Sequence, residues 1–408
     1  MTEPRVSIVI VSRQRPAALS LCLAAVARLT YPVYEVIVVA DQSGLRAVKD
    51  LPFAESIKSV AFEEPNIAAA RNRGIAQAAG QVVAFIDDDA VPEPRWLDHL
   101  VMPFVDPSVA AAGGFVLGRN GISYQWRGRV VDHAGTTRDV ALNPRNPTIL
   151  TPPTGWAVKT EGTNMAIRRD VLAQMGGFDP AFHFYMDETD VNMRLAAAGH
   201  ATAIVPLAQV HHGYAASPRR RQDRTVRDLR QIAASTVVFL RKHCPSAQHD
   251  VTLAAALSEQ RKRLLSQMMT GQQEPGDIRR LLRGWSDGLV EGRTRELTVP
   301  MAMPEAQTGF LPFPSLFSSG HHIIQGYLTQ ARALREQAIR SAEQGKTVSL
   351  FLLSRTALYH RVRFHPAGYW EQTGGLFGRS DRSGALFRFS RLSSRVAREI
   401  ERIGAARF

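Results

Sequence analysis

The stretch Val82–Leu97, VVAFIDDDAVPEPRWL, decides how this chain is read. Its first five residues, Val82 to Ile86, are apolar and partly β-branched, as in a short strand buried on both faces. They end on three adjacent carboxylates, Asp87, Asp88 and Asp89, followed by a Pro-bearing turn. Like charges side by side repel one another, so folding alone gains nothing by gathering them. Hard carboxylate oxygens suit Mg2+ or Mn2+, usually shared with substrate phosphates. A solvated acidic turn, or a cap for a helix near Trp96, is the plainer account. Position along the chain chooses between the two.

Strands and helices alternate around this stretch. Val6–Ser12 (VSIVIVS) predicts a buried strand, and Pro16 opens a helix with Leu19, Leu23 and Val26 at helical spacing. Tyr34–Ala40 (YEVIVVA) predicts a second strand ending in the polar turn DQSG, and SVAFEE a shorter third. The Ala-rich IAAARNRGIAQAAG predicts a helix closed by Gly80. In open parallel sheets ligands sit beyond the carboxyl ends of the strands. DQSG and DDD both fall at such ends, which favours a site over two unrelated loops. Residues 113–160, rich in Gly, Pro and Asn, predict a hairpin or a long loop. Thereafter come a short strand with a helix from Arg169 to Met175, a helix in MDETDVNMRLAAAGH closing at Gly199, and a strand ATAIVP followed by His211 and His212.

Past Ser217 the character changes. Arg219, Arg220, Arg221, Arg224, Arg227 and Arg230 predict a helix with a basic face, its other side carrying Val226, Leu229, Ala233, Val237 and Leu240. Residues 246–300 predict polar helices, and MAMPEAQTGFLPFPSLF a connector. The remainder predicts a helix around Ile324–Glu343, a strand TVSLFLL and a basic, Gly-rich end. The expected division is a catalytic domain over 1–217, a helical extension over 218–300 and an accessory region over 301–408.

The 408 residues, 45% hydrophobic and 21% charged, suit a large folded domain plus a second. Two cysteines, Cys22 and Cys244, exclude a disulfide framework or a Cys-based zinc site and fit a reducing compartment. A basic-then-apolar leader is lacking, and so is any apolar run near the ~20 residues that span a bilayer. The expectation is a cytoplasmic protein, soluble or bound to the inner face of a membrane. The net charge of +13 implies an anionic partner: nucleic acid, acidic lipid or phosphorylated substrate.

Four ordered stretches carry a resemblance: VSIVIVSRQRPAAL, NIAAARNRGIAQAAGQVVAFIDDDAVPEPRWL, GTNMAIRRDVLAQMGGFDPAF and MDETDVNMRLAAAGH…VPLAQVHH. Together they resemble the inverting glycosyltransferases of family 2, over roughly residues 5–217. The resemblance implies an α/β fold of the GT-A type, a Rossmann-like, mostly parallel sheet flanked by helices, here with a mainly helical C-terminal extension. It implies a nucleotide-diphospho-sugar donor, Mn2+ or Mg2+, and a glycan or lipid-linked glycan acceptor.

By that resemblance Asp87 contacts the nucleoside and the metal, Asp89 holds the metal, and Asp88 belongs to the donor site and orients its neighbours. Glu188, with Asp187 as alternate, is the general base that takes the acceptor proton. The order here is Asp-Glu instead of the commoner Glu-Asp, and acidic residues also favour a helix's first turn. His212, or His211 one residue earlier, completes the metal site. Asp41 reads the base edge, with Ala40 where a second Asp is common. Ser12 and Arg13 stand where Thr-Tyr is usual. Arg71 faces the diphosphate or ribose, and Asn72 caps or bridges loops. Trp156 and Asn164 flank the acceptor groove, Trp156 offering an aromatic face to a sugar ring. Asp190 and Arg194 form a structural i,i+4 pair.

The rivals are a sugar-phosphate nucleotidyltransferase, a basic nucleic-acid or membrane binder without catalysis, and a non-catalytic homologue. The first lacks a Gly-rich triphosphate loop near the N-terminus. Nucleic-acid recognition lacks a motif or interleaved aromatics in the basic stretch. The retained carboxylates oppose the third.

Overall fold

The computed structural model describes residues 3–213 and 215–408. Its first half is built on strands β1 (Val6–Ser12), β2 (Tyr34–Ala40), β3 (Ile57–Ala61), β4 (Val82–Asp87), β5 (Ala90–Pro92) and β6 (Val109–Leu117). Further strands are β7 (Tyr124–Trp126), β8 (Arg129–Asp132), β9 (Thr137–Asp139), β10 (Thr148–Leu150), β11 (Trp156–Lys159), β12 (Met165–Arg168) and β13 (Ala201–His212). Helices α1 (Pro16–Val26), α2 (Gln42–Lys49), α3 (Ile67–Ile75), α4 (Trp96–Leu100), α5 (Arg169–Gln174) and α6 (Asp187–Ala197) connect them.

The main sheet runs β10-β13-β6-β12-β4-β1-β2-β3, with β5 joined to β13 and β7 to β6. β1, β2, β3 and β4 are mutually parallel, and antiparallel β12 joins β4 to β6. β1, β2 and β4 are mostly apolar because both their faces are covered. Ile8, Ile10, Val36 and Val38 pack with Leu19, Leu23 and Trp96 on one side. Val9, Ile37, Val83 and Phe85 pack with Ile75, Leu172 and Phe178 on the other. The α/β architecture expected from the sequence is present. The loop-like stretch 113–160 holds the short strands β7 to β11, of which β11, β8 and β9 form a separate small sheet.

Two boundaries differ near the site. β13 does not stop after ATAIVP: a register shift between Val205 and Gln209 absorbs Pro206 and carries the strand on to His212. The arginine-rich helix does not start at 219. Residues 217–227 fold as turns with Ser217 and Val226 bridged to Arg220, and α7 (Arg230–His243) begins only where Asp228 accepts the Arg230 N–H at 2.9 Å. Crowded like charges and the Asp223 turn onto Thr225, at 2.9 Å, favour this break. α7 is buried from Ala233 through Leu240, so it is a core helix. It packs with α8 (His249–Met269) and α9 (Pro275–Thr294), the helical extension foreseen.

The connector is a strap laid across the first domain. Backbone N–H groups of Met303, Gln307, Phe313 and Leu316 donate to carbonyls of Ala173, Ala76, Tyr34 and Ala27. Phe313 stacks on Tyr34, with ring centroids 5.5 Å apart, and meets Phe53 edge-on. Beyond it lie β14 (His321–Tyr327), α10 (Ala331–Glu343), β15 (Thr347–Ser354), β16 (Arg361–His365), β17 (Tyr369–Gly375) and α11 (Leu392–Arg407). The expected helix at Ile324–Glu343 is thus split: Ile324 is in a strand, and the helix starts at Ala331. The four strands form a sheet in the order β14-β15-β17-β16.

This sheet is fixed to the first domain through Arg407, whose guanidinium clamps both oxygens of buried Glu93 at 2.7 and 2.5 Å. The Glu93 carboxylate also meets His211 Nε2, at 2.7 Å. Among the described residues no helix is long and apolar enough to cross a membrane.

Candidate active site

A cleft of about 360 Å³ opens at the carboxyl ends of β1 and β4. Register places it there: Val11 pairs with Asp87 and Ser12 with Ala40, so the polar ends of three strands meet at one edge. After the carboxylate triplet the chain turns into β5, which pairs antiparallel with β13 so that Ala90 faces His212. That pairing returns His212 to Asp89, with Nε2 3.3 Å from Oδ1. Asp87, Asp89 and His212 each present a ligand atom within 4.8 Å of the others. Two hard oxygens and one imidazole suit Mn2+ better than Mg2+. The residues therefore fit a divalent cation.

Asp88 turns away from the cleft. It is fully buried, accepts from Ser12 Oγ at 2.7 Å and is paired with Arg15 at 2.5 Å. Burial raises its pKa to about 7 against the lowering effect of Arg15, with Asp89 adding to the rise. It fixes Ser12 and Arg15, as an orienting residue would. Arg15 also reaches Asp89 at 3.1 Å, and Arg220 reaches it at 3.6 Å. Burial acts to raise the Asp89 pKa, but the His212 hydrogen bond, nearby positive charge and the Ala215 N–H at 2.7 Å hold it low.

On the opposite wall, α6 begins with Asp187 and Glu188. It is preceded by Tyr185 and Met186, both at positive φ (74° and 64°). Two consecutive non-glycine residues in that region store strain, a feature that clusters at functional sites. Arg71 crosses the cleft floor. Its guanidinium hydrogen-bonds Asp187 and lies 3.5 Å from Asp87. It also packs over Phe178. Gly162 permits this, since a Cβ there would fall 2.3 Å from Arg71 Nη2.

Glu188 faces Lys159, whose Nζ donates to it at 3.1 Å and to Glu161 at 2.8 Å. The two neighbouring carboxyls of α6 are thereby split. Burial, reinforced by the Glu188 charge, pushes Asp187 upward against Arg71. Burial opposes ionisation of Glu188 too, but Lys159 and Arg71 outweigh it and hold that group low. Glu188 is thus the more acidic member of the pair.

The remaining expected residues separate. Ser12 and Arg13 line the cleft, with Arg71, Asp87, Asp89, His212, Asp187 and Glu188. Asp41 does not: one oxygen accepts the Gly44 N–H and Ser43 Oγ, the other the Gln14 N–H, so it clasps two strand ends. Asn164 is a correction. It is buried, accepts from Trp96 Nε1 at 2.7 Å and donates to Phe115 and Ala208 carbonyls, so its amide is spent on the core. Trp156 is a second correction: it lies under Arg138 in a separate cleft with Val130 and Leu150, away from the acidic residues. Asn72 pins Phe178 through two backbone hydrogen bonds. His211 is engaged by Glu93 and stacked near Trp370, leaving His212 at the acidic cluster.

Sequence reasoning missed Arg15, Lys159, Glu161 and Tyr185. Lys159 and Glu161 carried a readable sign: two opposite charges spaced by two in a strand-like run share a face. Arg219 and Arg220, assigned to a helix face, line the cleft mouth instead, with Arg219 4.0 Å over the Phe184 ring.

Three residues that could hold a metal ion, opposite the carboxylates at the head of α6 in a cleft at strand carboxyl ends, make an arrangement suited to group transfer. Residues 7–176 match the model described as "Glycosyl transferase family 2". Over 227 residues the chain is 28% identical to the O-antigen biosynthesis protein RfbC of Myxococcus xanthus, covering 53% of this chain and 18% of that one. Over 68 residues it is 38% identical to the N-acetylglucosaminyl-diphospho-decaprenol L-rhamnosyltransferase of Mycobacterium tuberculosis, covering 17% of this chain and 21% of that protein. The chain thus spans less than a quarter of the length of either relative. A mannosyltransferase from Pyrobaculum calidifontis, solved with GDP-Man and Mn2+, superposes with a TM-score of 0.44 at 17% identity, over 72% of this chain and 88% of that one.

Proposed function

We propose that the protein transfers a sugar, with inversion, from a nucleotide-diphospho-sugar to an acceptor hydroxyl. The observation that carries this reading is Arg71, which touches Asp87 on the donor side and Asp187 at the head of α6. It ties the metal-ligating edge and the candidate base into one cleft. Asp87, Asp89 and His212 would hold Mn2+ or Mg2+, which supplies Lewis-acid stabilisation of charge developing on a diphosphate leaving group.

The chain's own residues do the rest. Arg13, Arg15, Arg219 and Arg220 line the cleft and offer positive charge to the diphosphate. Ser12 and Asp88 hold Arg15 in place. Glu188, kept ionised by Lys159, accepts the acceptor hydroxyl proton as the oxygen attacks the sugar. The acceptor is a glycan or lipid-linked glycan used in cell-surface polymer synthesis, met at the inner face of the membrane. The similarity to proteins named for O-antigen biosynthesis and for a decaprenol-linked substrate supports this choice.

The test is a donor screen. The full chain with Mn2+ is given UDP-, GDP- and dTDP-sugars, and free nucleoside diphosphate is measured. Slow hydrolysis of one donor, lost in Asp89→Ala, is the expected result. Release of pyrophosphate, or turnover that Asp89→Ala leaves intact, would overturn it.

A further inference from the structure

Outside the residues that line the cleft, the segment between β17 and α11 exposes apolar side chains. Residues 381–389 are exposed without interruption, yet they include Leu386 (63% exposed), Phe387 (49%) and Phe389 (81%). The backbone holds these side chains outward. Arg388 N–H donates to Phe377 at 2.9 Å, and Asp381 accepts the Ser383 N–H at 2.9 Å. Phe377, Phe387 and Phe389 form one aromatic group, with centroids 4.9 to 5.5 Å apart.

A second pair continues the patch. Leu358 and Tyr359 are 62% and 61% exposed. Leu358 accepts the Gly375 N–H at 2.9 Å, and Arg379 lies 5.1 Å over the Tyr359 ring and hydrogen-bonds its hydroxyl. The surroundings are cationic: residues 355–391 hold seven arginines against two acids. An apolar group of this kind, with a rim that is mostly positive, marks an interaction site.

We infer that Leu358, Tyr359, Leu386, Phe387 and Phe389 form a membrane-docking patch. It inserts into the headgroup region of an anionic bilayer while the surrounding arginines pair with lipid phosphates. Long Arg side chains reach charge at the interface while aromatic rings enter the acyl boundary. A second copy of the chain fits worse, because a two-fold contact would set the same arginines against each other. In the basic stretch 219–227, the surface first suggested by sequence, Arg219 and Arg220 line the cleft, and the stretch lacks such an apolar group.

This inference rests on the membrane-surface part of the proposed function and is independent of the transfer chemistry.

The experiment is vesicle flotation of the full chain with phosphatidylcholine alone and with added phosphatidylglycerol. Phe387→Ser/Phe389→Ser, Arg382→Glu/Arg388→Glu and Arg227→Glu are run alongside wild type. Wild type and Arg227→Glu should float with anionic vesicles only, and the two patch variants should lose about tenfold or more in partitioning. Phe389→Trp should shift its emission to the blue on adding anionic vesicles. Donor hydrolysis should be unchanged in the patch variants, which separates failure of docking from failure of the transfer reading. Undiminished flotation of the patch variants, no emission shift, or a wild-type dimer dissolved by Phe387→Ser/Phe389→Ser would overturn the inference.

Discussion

Lys159 Nζ stands 3.1 Å from Glu188 Oε1 and 2.8 Å from Glu161, so one ammonium serves two half-buried carboxylates. Such an arrangement keeps a base ionised at the cost of some basicity. In Lys159→Met the Glu188 carboxyl loses the charge that lowers it, and its pKa rises. On the proposed mechanism activity needs the carboxylate, so the acid limb of the kcat/KM profile should move to higher pH. The rate at neutral pH should fall by about 10- to 100-fold. A pH–rate profile of donor and acceptor turnover checks this, and an unmoved acid limb would exclude Glu188 as the base.

The two adjacent histidines should part company. His212→Ala removes an imidazole from the Asp87/Asp89 cluster and should weaken activation by Mn2+ by about 10- to 100-fold. His211→Ala breaks a contact to Glu93 and should lower the melting temperature while leaving the Mn2+ concentration dependence in place. Metal titration of activity, paired with thermal melts, reads both.

Arg71→Lys tests the bridge across the cleft. A lysine ammonium has no planar fork with which to meet Asp87 and Asp187 together. Activity should fall by about 100-fold, although the charge is retained. A loss of less than a few-fold would mean that the bridge is dispensable.

Asn164→Ala should behave as a core mutation. Three hydrogen bonds to Trp96, Phe115 and Ala208 are lost in a fully buried setting, and the stability cost should be roughly 2–4 kcal/mol. Denaturant melts measure this. At a permissive temperature the acceptor KM should be unchanged.

Glu93 gives a pH dependence of stability. Burial would raise its pKa, but Arg407 and His211 lower it to about 2, below its ordinary 4.5. A depressed carboxylate contributes stability above its unfolded pKa, and that contribution is lost as pH falls between the two values. Unfolding free energy should therefore decline from about pH 4.5 towards 2. Arg407→Ala leaves Glu93 buried without its cation and should cost roughly 3–5 kcal/mol at neutral pH. Urea melts from pH 2.5 to 7 check both.

The legible part of this molecule was its local part. β1 and β2 announced themselves by runs of β-branched residues, and the triplet at the end of β4 by its charge. What escaped was set by pairing across long separations. Nothing around Lys159 says that α6 will bring Glu188 to it, and Asn164 looks available until β6 and β13 close over its amide. Arg407 and Glu93 lie in segments with no shared pattern. The arginine run at 219–227 misled because periodicity was counted through Asp223 and Asp228, which start turns.

The strap from Met303 to Leu316 has a consequence for synthesis. Tyr34 and Phe53 are made early, but Phe313, which covers them, leaves the ribosome only after the whole helical extension. A nascent first domain must wait with that aromatic surface open, a hazard for chaperones to manage at elongation rates of ~5–20 residues per second. Expressed by themselves, residues 1–217 would keep Tyr34 and Phe53 without that cover, and they should aggregate more readily than the full chain.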